Sequence, residues 1–333
     1  MRLWIPQNLC EYMEIISNFR YDGHNIWISD IITDNLLTID HVDYYAYFLS
    51  SDNKGNKGGH SFVFKLYEAQ TYNEESSPVC VIKIDKNPKK YKNRVIGQVR
   101  RDRFQQEVEA LKICKEKGLD NVMQIKYDGF LICNNSKTEE YKNAFPFYVM
   151  ECADSDLLEF MKEERKNIDD AGKIELCLQL SQGLKDLYGQ GIYHRDIKPD
   201  NIFLVEDKWK IGDLGLIEMR DKQTLDKQRE FVGPRGWVSP EVMNKYLTEG
   251  VDGLDFDCKI DHQSDIFQLG KVFWFILQGN VPIGNVKTLD YFFHNDEMYD
   301  LIKNMLNHSK KKRPATIDEV ILRLRKIVNK YYK

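Results

Sequence analysis

The sequence has little that would point to a membrane, a disulfide framework or a nucleic-acid partner. Its longest apolar run, Val272 to Leu277, is far shorter than the roughly 20 residues that a membrane helix needs. The seven cysteines are scattered, odd in number and free of CxxC spacing, which argues for a reducing compartment and against a zinc site. The net charge of −4 indicates no nucleic-acid surface. We therefore expect a cytoplasmic protein that binds neither membrane nor nucleic acid; its oligomeric state is not indicated.

The chain also lacks internal repeats and low-complexity tracts, and its 333 residues are enough for two packed lobes. Residues 1–40 show no clear period, and we interpret them as an N-terminal extension of unknown role. Runs typical of β-strands dominate residues 41–151, whereas helical spacing dominates residues 152–333. This change predicts an α+β fold of two unequal lobes, with a ligand cleft between them.

One stretch, GIYHRDIKPDNIFLVEDKWKIGDLG, sets polar groups beside short apolar runs that are typical of buried strands. Asn201 follows Asp196 by five residues, and Asp213 follows an apolar hairpin. Asn201 and Asp213 offer the oxygen ligands that Mg²⁺ prefers, Asp196 can accept a proton from an attacking hydroxyl, and Lys198 adds a nearby positive charge. A turn that only caps secondary structure explains any one of these residues but not their ordered spacing. The set indicates phosphoryl transfer.

The segments YHRDIKPDN and GDLG resemble the catalytic loop and the metal-binding motif of eukaryotic-type protein kinases, and the similarity continues over about residues 44–330. The resemblance implies a bilobal kinase-like fold: a small β-rich N-lobe with one main helix (41–151), a larger helical C-lobe (152–333) and an ATP cleft between them. It implies a divergent serine/threonine kinase that uses ATP and Mg²⁺, with Mn²⁺ as an alternative, on a protein substrate. Lys198 favours Ser or Thr as the acceptor, because tyrosine kinases generally lack this lysine.

The family's motifs assign roles in both lobes. Lys83, in the strand-like run VCVIKI, matches the lysine that holds the α- and β-phosphates, and Glu107 matches the helix glutamate that pairs with it. Asp196, Lys198 and Asn201 match the catalytic positions, and Asn201 and Asp213 match the metal ligands. The other nucleotide-binding candidates are Gly58, Ser61, Val63, Val81, Met150, Glu151, Ala153, Asp156 and Phe203.

Among these candidates, the segment YVMECA resembles the hinge between the lobes. Met150 is expected to limit the back of the adenine pocket, and the backbone of Glu151 and Ala153 is expected to bond the adenine. Asp156 either reaches the ribose or caps a helix, and the second role is at least as well supported.

Two further matches have structural roles in the family. Glu241, in GWVSPE, is expected to form an ion pair with Arg313, in KKKRPAT. Asp265, in SDIFQLG, is expected to bond the backbone of the catalytic loop from beneath.

The segment 213–241 corresponds to the activation loop. Arg195 precedes the catalytic Asp and, in the family, commonly binds a phosphorylated residue of this loop. The loop offers the hydroxyls of Thr224 and Ser239, and Glu230 stands where many kinases carry the phosphorylated residue. Our hypothesis is that Glu230 pairs with Arg195 and partly substitutes for a phosphate, so that activity needs no loop phosphorylation. A solvated Glu is an equally weighted alternative.

The nucleotide-binding positions depart from the family pattern. Of the three glycines that cover the phosphates, only Gly58 stays in register, while Gly55 and Gly59 lie one residue off. Val81 and Phe203 stand where Ala and Leu are usual around the adenine, which narrows the slot. These departures motivate a second hypothesis: a pseudokinase or scaffold module with weak nucleotide binding.

A third hypothesis is a small-molecule phosphotransferase of the same fold. The SPE segment, Arg313 and Lys198 speak against it, because that group generally lacks these features. Pro234 replaces the Thr that serine/threonine kinases usually carry, which weakens the assignment of the acceptor but not of the reaction.

Overall fold

The computed structural model describes residues 13–21, 26–49, 61–87, 94–134, 144–165 and 167–332. The chain divides into two compact units. The first unit comprises Met1–Val108 and Gln124–Cys152, and the second comprises Glu109–Met123 and Ala153–Lys333. A β-rich first unit and a mostly helical second unit confirm the expected α+β class. Residues 109–123, which the sequence analysis placed in the first lobe, belong to the second unit.

The first unit is built on one twisted sheet. Its described strands are β1 (Met13–Tyr21), β2 (Ile26–Trp27), β3 (Leu36–Ile39), β4 (Val42–Phe48), β5 (Ser61–Glu68), β6 (Cys80–Asp85), β7 (Ile125–Asn134) and β8 (Ala144–Glu151). They lie in the order β2-β1-β7-β8-β6-β5-β4-β3, and neighbours are antiparallel except for the parallel pair β1 and β7. Asp40 and His41, between β3 and β4, both have positive φ, as a tight type I′ hairpin requires.

The N-terminal segment is part of this sheet, since it supplies β1, β2 and β3. Phe19, Leu37 and Ile39 are fully buried in the core of the first unit. A register shift between Ser17 and Arg20 interrupts the alternation of β1, which explains why the segment shows no period in the sequence. The segment that we interpreted as an N-terminal extension of unknown role thus supplies three strands of the sheet.

Helix α1 (Arg94–Glu116) begins in the first unit and ends in the second. The other described α-helices all belong to the second unit: α2 (Leu157–Glu163), α3 (Asp170–Gly189), α4 (Pro240–Thr248), α5 (His262–Gln278), α6 (Asp296–Met305) and α7 (Ile317–Tyr331). α3 packs against α5 and α7. α5 begins at a capping box formed by Asp261 and Ser264 and ends at Gly279, whose φ of 77° suits a helix C-terminus. Thirteen of its 17 residues are buried, so α5 forms the central support of this unit.

Five short strands carry the loops of the second unit. They are β9 (Ser155–Asp156), β10 (Ile192–Tyr193), β11 (Ile202–Val205), β12 (Lys208–Ile211) and β13 (Glu218–Met219). β9, β11 and β12 form one small sheet, and β10 and β13 form another. None of the helices in the described part of the chain is long and apolar enough to cross a bilayer.

Candidate functional site

Lys83, near the middle of β6, forms an ion pair with Glu107 of α1. The Nζ–Oε1 distance is 2.8 Å, and the side chains are 13% and 2% exposed. Tyr148 of β8 lies opposite Lys83 in the strand register and donates its hydroxyl to the same Oε1 at 2.9 Å. Two donors on one buried carboxylate oxygen fix the direction in which Glu107 holds the ammonium group. Sequence analysis missed Tyr148, because only the pairing of β6 with β8 reveals it.

Three further candidates lie on the same face of the sheet as Lys83. Val63 of β5 is its register partner, and Val81 precedes it by two residues on β6. Met150 of β8 is the register partner of Val81. Residues directly opposite each other, or two apart on one strand, point to the same side. The register thus brings an ammonium group and three apolar side chains onto one surface of the first unit.

Two of the remaining first-unit candidates, Ser61 and Glu151, lie at strand ends. Ser61 begins β5 and is buried. Glu151 ends β8, and its carboxylate accepts the backbone N–H of Gln124 at 2.8 Å. Gly58 lies outside the described residues.

In the second unit, α5 holds the proposed catalytic loop from beneath. Asp265 accepts the N–H groups of His194 at 2.8 Å and of Arg195 at 2.7 Å. Gln268, one turn further along α5, accepts the N–H of Ile197 at 3.0 Å and donates to the carbonyl oxygen of Arg195 at 3.1 Å. Arg195 has a φ of 66°, which is unfavourable for a side chain of this size and is held by these bonds. Burial raises the pKa of Asp265 to about 7, against the effect of its two backbone bonds.

Asp196 is held by Asn201 within the same loop. The Asn201 Nδ2 donates to the carbonyl oxygen of Asp196 at 2.9 Å and to its carboxylate Oδ2 at 2.7 Å. Both side chains are buried. Because the nitrogen of the Asn201 amide binds Asp196, the amide oxygen lies on the opposite side of the group. Lys198, between these two residues, has an extended backbone and is half-buried.

Asp213 lies on the segment next to Asn201, since the N–H of Gly212 donates to the Asn201 carbonyl at 2.9 Å. A Cβ at Gly212 would stand 2.7 Å from side-chain atoms of Met123 and Phe203, so only glycine permits this approach. The exposed Asp213 has a φ of 54°. A carboxylate and an amide oxygen are hard ligands that fit Mg²⁺, which takes its other ligands from water and phosphate.

His194 connects the catalytic loop to Gly212. Its ring is fully buried, with Nε2 3.0 Å from the Gly212 carbonyl oxygen, and the N–H of Asp196 points at Nδ1 from 3.2 Å. Because Nδ1 accepts, the imidazole is neutral and donates from Nε2. Burial lowers the pKa of His194 from 6.5 to about 4.

We expect acid to weaken the fold through His194. The unfolded imidazole takes up a proton below pH 6.5, whereas the folded one resists protonation until the pH approaches 4. The stability contributed by neutral His194 is therefore fully present above pH 6.5 and falls by about 2 to 3 kcal/mol by about pH 4.5. Denaturant titrations at about pH 7 and about pH 4.5 should show a larger loss of unfolding free energy in wild type than in His194→Gln.

The loss of unfolding free energy has to be compared between wild type and variant, because Asp265 changes the stability with pH in the opposite direction to His194. Its folded pKa of about 7 lies above the unfolded 3.8, so its contribution falls as pH rises through this window. His308→Gln, at an exposed histidine, should lose as much stability as wild type. An equal loss in wild type and His194→Gln would contradict the prediction.

Asp156 caps α2. Its carboxylate accepts the N–H of Glu159 at 2.8 Å. The capping role, one of the two alternatives left open by the sequence, is therefore present in the structure. Asp156 is also the register partner of Phe203 in the pairing of β9 with β11. Ala153, three residues before Asp156, begins the second of the two segments that form this unit.

Arg195 pairs with Asp226 and Glu218, and the expected pairing with Glu230 is wrong. The Nη1 lies 2.6 Å from Glu218 Oε2 and 2.9 Å from Asp226 Oδ2, and Nη2 lies 2.9 Å from Asp226 Oδ1. Asp226 reaches the two-pronged geometry that suits a guanidinium, and its side chain is 4% exposed. Glu230 accepts the N–H of Lys227 at 2.8 Å and closes its own turn. Acidic residues in a loop cannot be ranked as partners of Arg195 from spacing alone.

Arg313 forms a buried, two-pronged ion pair with Glu241 of α4. The two oxygens of Glu241 accept from Nη2 at 2.8 Å and from Nη1 at 3.1 Å, and the side chains are 0% and 3% exposed. The other three N–H groups of Arg313 donate to the carbonyls of Asn307, His308 and Gln263. All five donors of this guanidinium are thus used.

Comparison with known proteins finds the protein kinase domain over residues 57–324. The chain is 28% identical to the Raf homolog serine/threonine-protein kinase of Caenorhabditis elegans, over 50% of this chain and 22% of that protein. It is 28% identical to the interferon-induced, double-stranded RNA-activated protein kinase of Rattus norvegicus, over 55% of this chain and 36% of that protein. It is 24% identical to CBL-interacting protein kinase 2 of Oryza sativa subsp. japonica, over 80% of this chain and 51% of that protein.

These relatives are longer proteins, and the matched part is between 22% and 51% of their length. The kinase domain match, in contrast, covers most of this chain. It includes both the strand of Lys83 and the loop of Asp196, whose geometry is described above. The chain therefore belongs to the eukaryotic-type protein kinase family and has its two-lobed α+β fold.

Proposed function

We propose that the protein transfers the γ-phosphate of Mg-ATP to Ser or Thr hydroxyls of protein substrates. The observation that carries the proposal is the junction of Asp196, Asn201 and Asp213. The side-chain amide of Asn201 donates to the carboxylate of Asp196, the proposed base. The backbone carbonyl of Asn201 accepts the N–H of Gly212, the residue that precedes Asp213. A base and two oxygen ligands on adjacent segments are what phosphoryl transfer requires.

In this proposal Asp196 orients the acceptor hydroxyl and takes its proton as the hydroxyl oxygen bonds the γ-phosphorus. The bond from the γ-phosphorus to the oxygen that bridges it to the β-phosphate breaks, and ADP leaves with that oxygen. Lys198 stabilises the charge on the transferring phosphoryl group. Asn201 and Asp213 would hold the metal, which when bound neutralises the charge of the phosphates. Lys83, held by Glu107, would bind the α- and β-phosphates of the nucleotide.

The apolar residues of the first unit fit the adenine. Val63, Val81 and Met150 share one face of the sheet with Lys83, so that apolar contacts and a phosphate-binding cation lie on the same surface. Phe203 on β11 is half-buried and is, from the family resemblance, a further candidate for contact with the adenine.

The test is phosphoamino acid analysis after incubation with Mg-ATP and a basic protein substrate, with a parallel sample in excess EDTA. Phosphoserine or phosphothreonine formed only in the presence of Mg²⁺ supports the proposal. Phosphotyrosine alone would contradict the acceptor assignment. Nucleotide binding without any transfer would favour the alternative, a pseudokinase or scaffold module with weak nucleotide binding.

We also infer that Asp226 takes the place of an activating phosphate. Its carboxylate and that of Glu218 occupy the guanidinium of Arg195, and Asp226 is buried with it. Thr224 is exposed, and its hydroxyl accepts the N–H of Asp226 at 3.3 Å. These ion pairs hold the segment after Asp213 against Arg195, the residue before Asp196, without a phosphate.

Asp226→Asn should lower the kcat of unphosphorylated protein by roughly tenfold, which corresponds to about 1.4 kcal/mol of lost ordering of the segment. The amide offers one acceptor instead of two charged ones, so Arg195 loses half of its two-pronged bond. The measurement is kcat after phosphatase treatment. Glu230→Gln is the matched control and should keep wild-type kcat, since the Glu230 carboxylate accepts the N–H of Lys227, whereas the Arg195 guanidinium donates to Asp226 and Glu218. A loss in Glu230→Gln but not in Asp226→Asn would reverse the assignment.

A further inference from the structure

We propose that Gln268 is a positioning residue that fixes the backbone on both sides of Asp196. The inference rests on the proposed phosphotransfer. Gln268 is 1% exposed and lies on α5, three residues after Asp265. Its Oε1 accepts the N–H of Ile197 at 3.0 Å, and its Nε2 donates to the carbonyl oxygen of Arg195 at 3.1 Å. The two bonds flank Asp196 directly.

The chemistry of the side chain matches this task. A primary amide presents one acceptor and one donor side by side, which is the complement of a backbone carbonyl and an N–H two residues apart. A carboxylate would present two acceptors, and a hydrocarbon would leave two buried backbone groups unsatisfied. Gln satisfies both groups, whereas a side chain of the same length that ends in a carboxyl does so only when it is protonated.

Gln268 completes a set of bonds that immobilises the loop. Asp265 takes the two N–H groups that precede Asp196. The N–H of Asp196 itself binds the ring of His194, and its carbonyl accepts from Asn201. Gln268 extends the bonds from α5 to the backbone N–H of Ile197, which follows Asp196. The carboxylate of the proposed base is then mounted on a backbone whose polar groups are fixed on both sides.

Gly233 makes room for this arrangement. Its φ is 120°, a conformation that side chains rarely adopt. A Cβ at this position would stand 2.9 Å from the Arg195 carbonyl oxygen and 3.5 Å from Nε2 of Gln268. The segment 213–241 can therefore pass close to the bond between Gln268 and Arg195 only because residue 233 is glycine.

The decisive variant is Gln268→Glu, which keeps the shape of the side chain and replaces the donor by a second acceptor. When the introduced carboxyl is ionised it repels the Arg195 carbonyl, and a shift of the loop should lower kcat by about 10- to 100-fold with KM for ATP little changed. When it is protonated, it can donate to that carbonyl again. Burial raises the pKa of such a carboxyl, so the ratio of wild-type to variant kcat should shrink as the pH falls from about 8 to about 6. A residue needed only for stability would not produce this pH dependence.

Gln278→Glu is the matched control, because it makes the same change on the same helix. Gln278 is 8% exposed, and its Oε1 accepts the N–H of Phe292 at 2.9 Å, far along the chain from the loop. Its kcat should stay within about twofold of wild type at every pH, whatever its melting temperature. A Gln268→Glu kcat within twofold of wild type, or a reduced kcat whose ratio to wild type does not change with pH, would overturn the proposal.

A second measurement separates this inference from the proposed function. If the wild-type protein transfers no phosphate to any substrate, the proposed function fails. Amide exchange still tests whether Gln268 holds the backbone around Asp196. In protein labelled with ¹⁵N-isoleucine, Gln268→Met should speed exchange of the Ile197 amide at least about tenfold relative to wild type and to Gln278→Met. Equal exchange in all three proteins would show that Gln268 does not hold the loop.

Discussion

Asp196→Asn is expected to transfer phosphate with a kcat about 10²- to 10⁴-fold below wild type while keeping its fold and its nucleotide affinity. Asn has nearly the shape of Asp but cannot take the proton of the acceptor hydroxyl. Its side-chain oxygen can still accept from Nδ2 of Asn201, the bond that is 2.7 Å long in the structure. The measurement is kcat and KM for ATP with a basic protein substrate, together with the melting temperature.

Asp200→Asn is the control for this prediction. Asp200 is an exposed carboxylate in the same loop, next to Asn201, and the variant should keep kcat within about twofold. The comparison separates the loss of a base from the loss of one negative charge in the loop. An Asp196→Asn kcat within tenfold of wild type would mean that this carboxylate is not the proton acceptor.

Arg313→Met is expected to lower the free energy of unfolding by about 3 to 5 kcal/mol, because it removes one partner of a buried ion pair. Glu241, 3% exposed, would keep its charge without the guanidinium. The carbonyls of Gln263, Asn307 and His308 would lose their donor at the same time. Chemical denaturation followed by fluorescence measures the change.

Two further variants make this prediction specific. Lys185→Met breaks the ion pair with Asp318, whose members are 47% and 62% exposed, and should cost less than about 1 kcal/mol. Adding Glu241→Gln to Arg313→Met removes the uncompensated charge and should recover part of the loss. A loss below 1 kcal/mol in Arg313→Met, or a double variant less stable than the single one, would contradict the argument.

The parts of the site that the sequence predicts are those whose spacing along the chain fixes their position in space. Asn201 lies one short turn after Asp196, so their contact is local. Lys83 and Glu107 are distant in sequence, yet Lys83 lies in an apolar run typical of a strand and Glu107 on a helix, and the family motif supplies their pairing. The α+β class follows in the same way from the change of period along the chain.

The parts that the sequence does not predict depend on which elements meet. Tyr148 reaches Glu107 only because β8 lies beside β6. Asp226 rather than Glu230 pairs with Arg195. The sequence alone does not show which of the acidic residues in that loop forms this ion pair. Gln268 carries one detectable signal, its position one helical turn after Asp265, which places both side chains on one face of α5. That signal indicates a shared face but not the loop that the face supports.

Because β1 pairs with β7, the folded first unit includes residues that lie outside the segment matched by the family. The family match begins at residue 57, after β1, β2, β3 and β4 have already passed. A fragment cut at that boundary would uncover the edge of β7, whose free N–H and C=O groups could then recruit another chain. It would also take Phe19 and Leu37 out of a core in which both are fully buried. The N-terminal strands thus cover the edge of β7 and complete the core of the first unit, although they precede the residues that the family match covers.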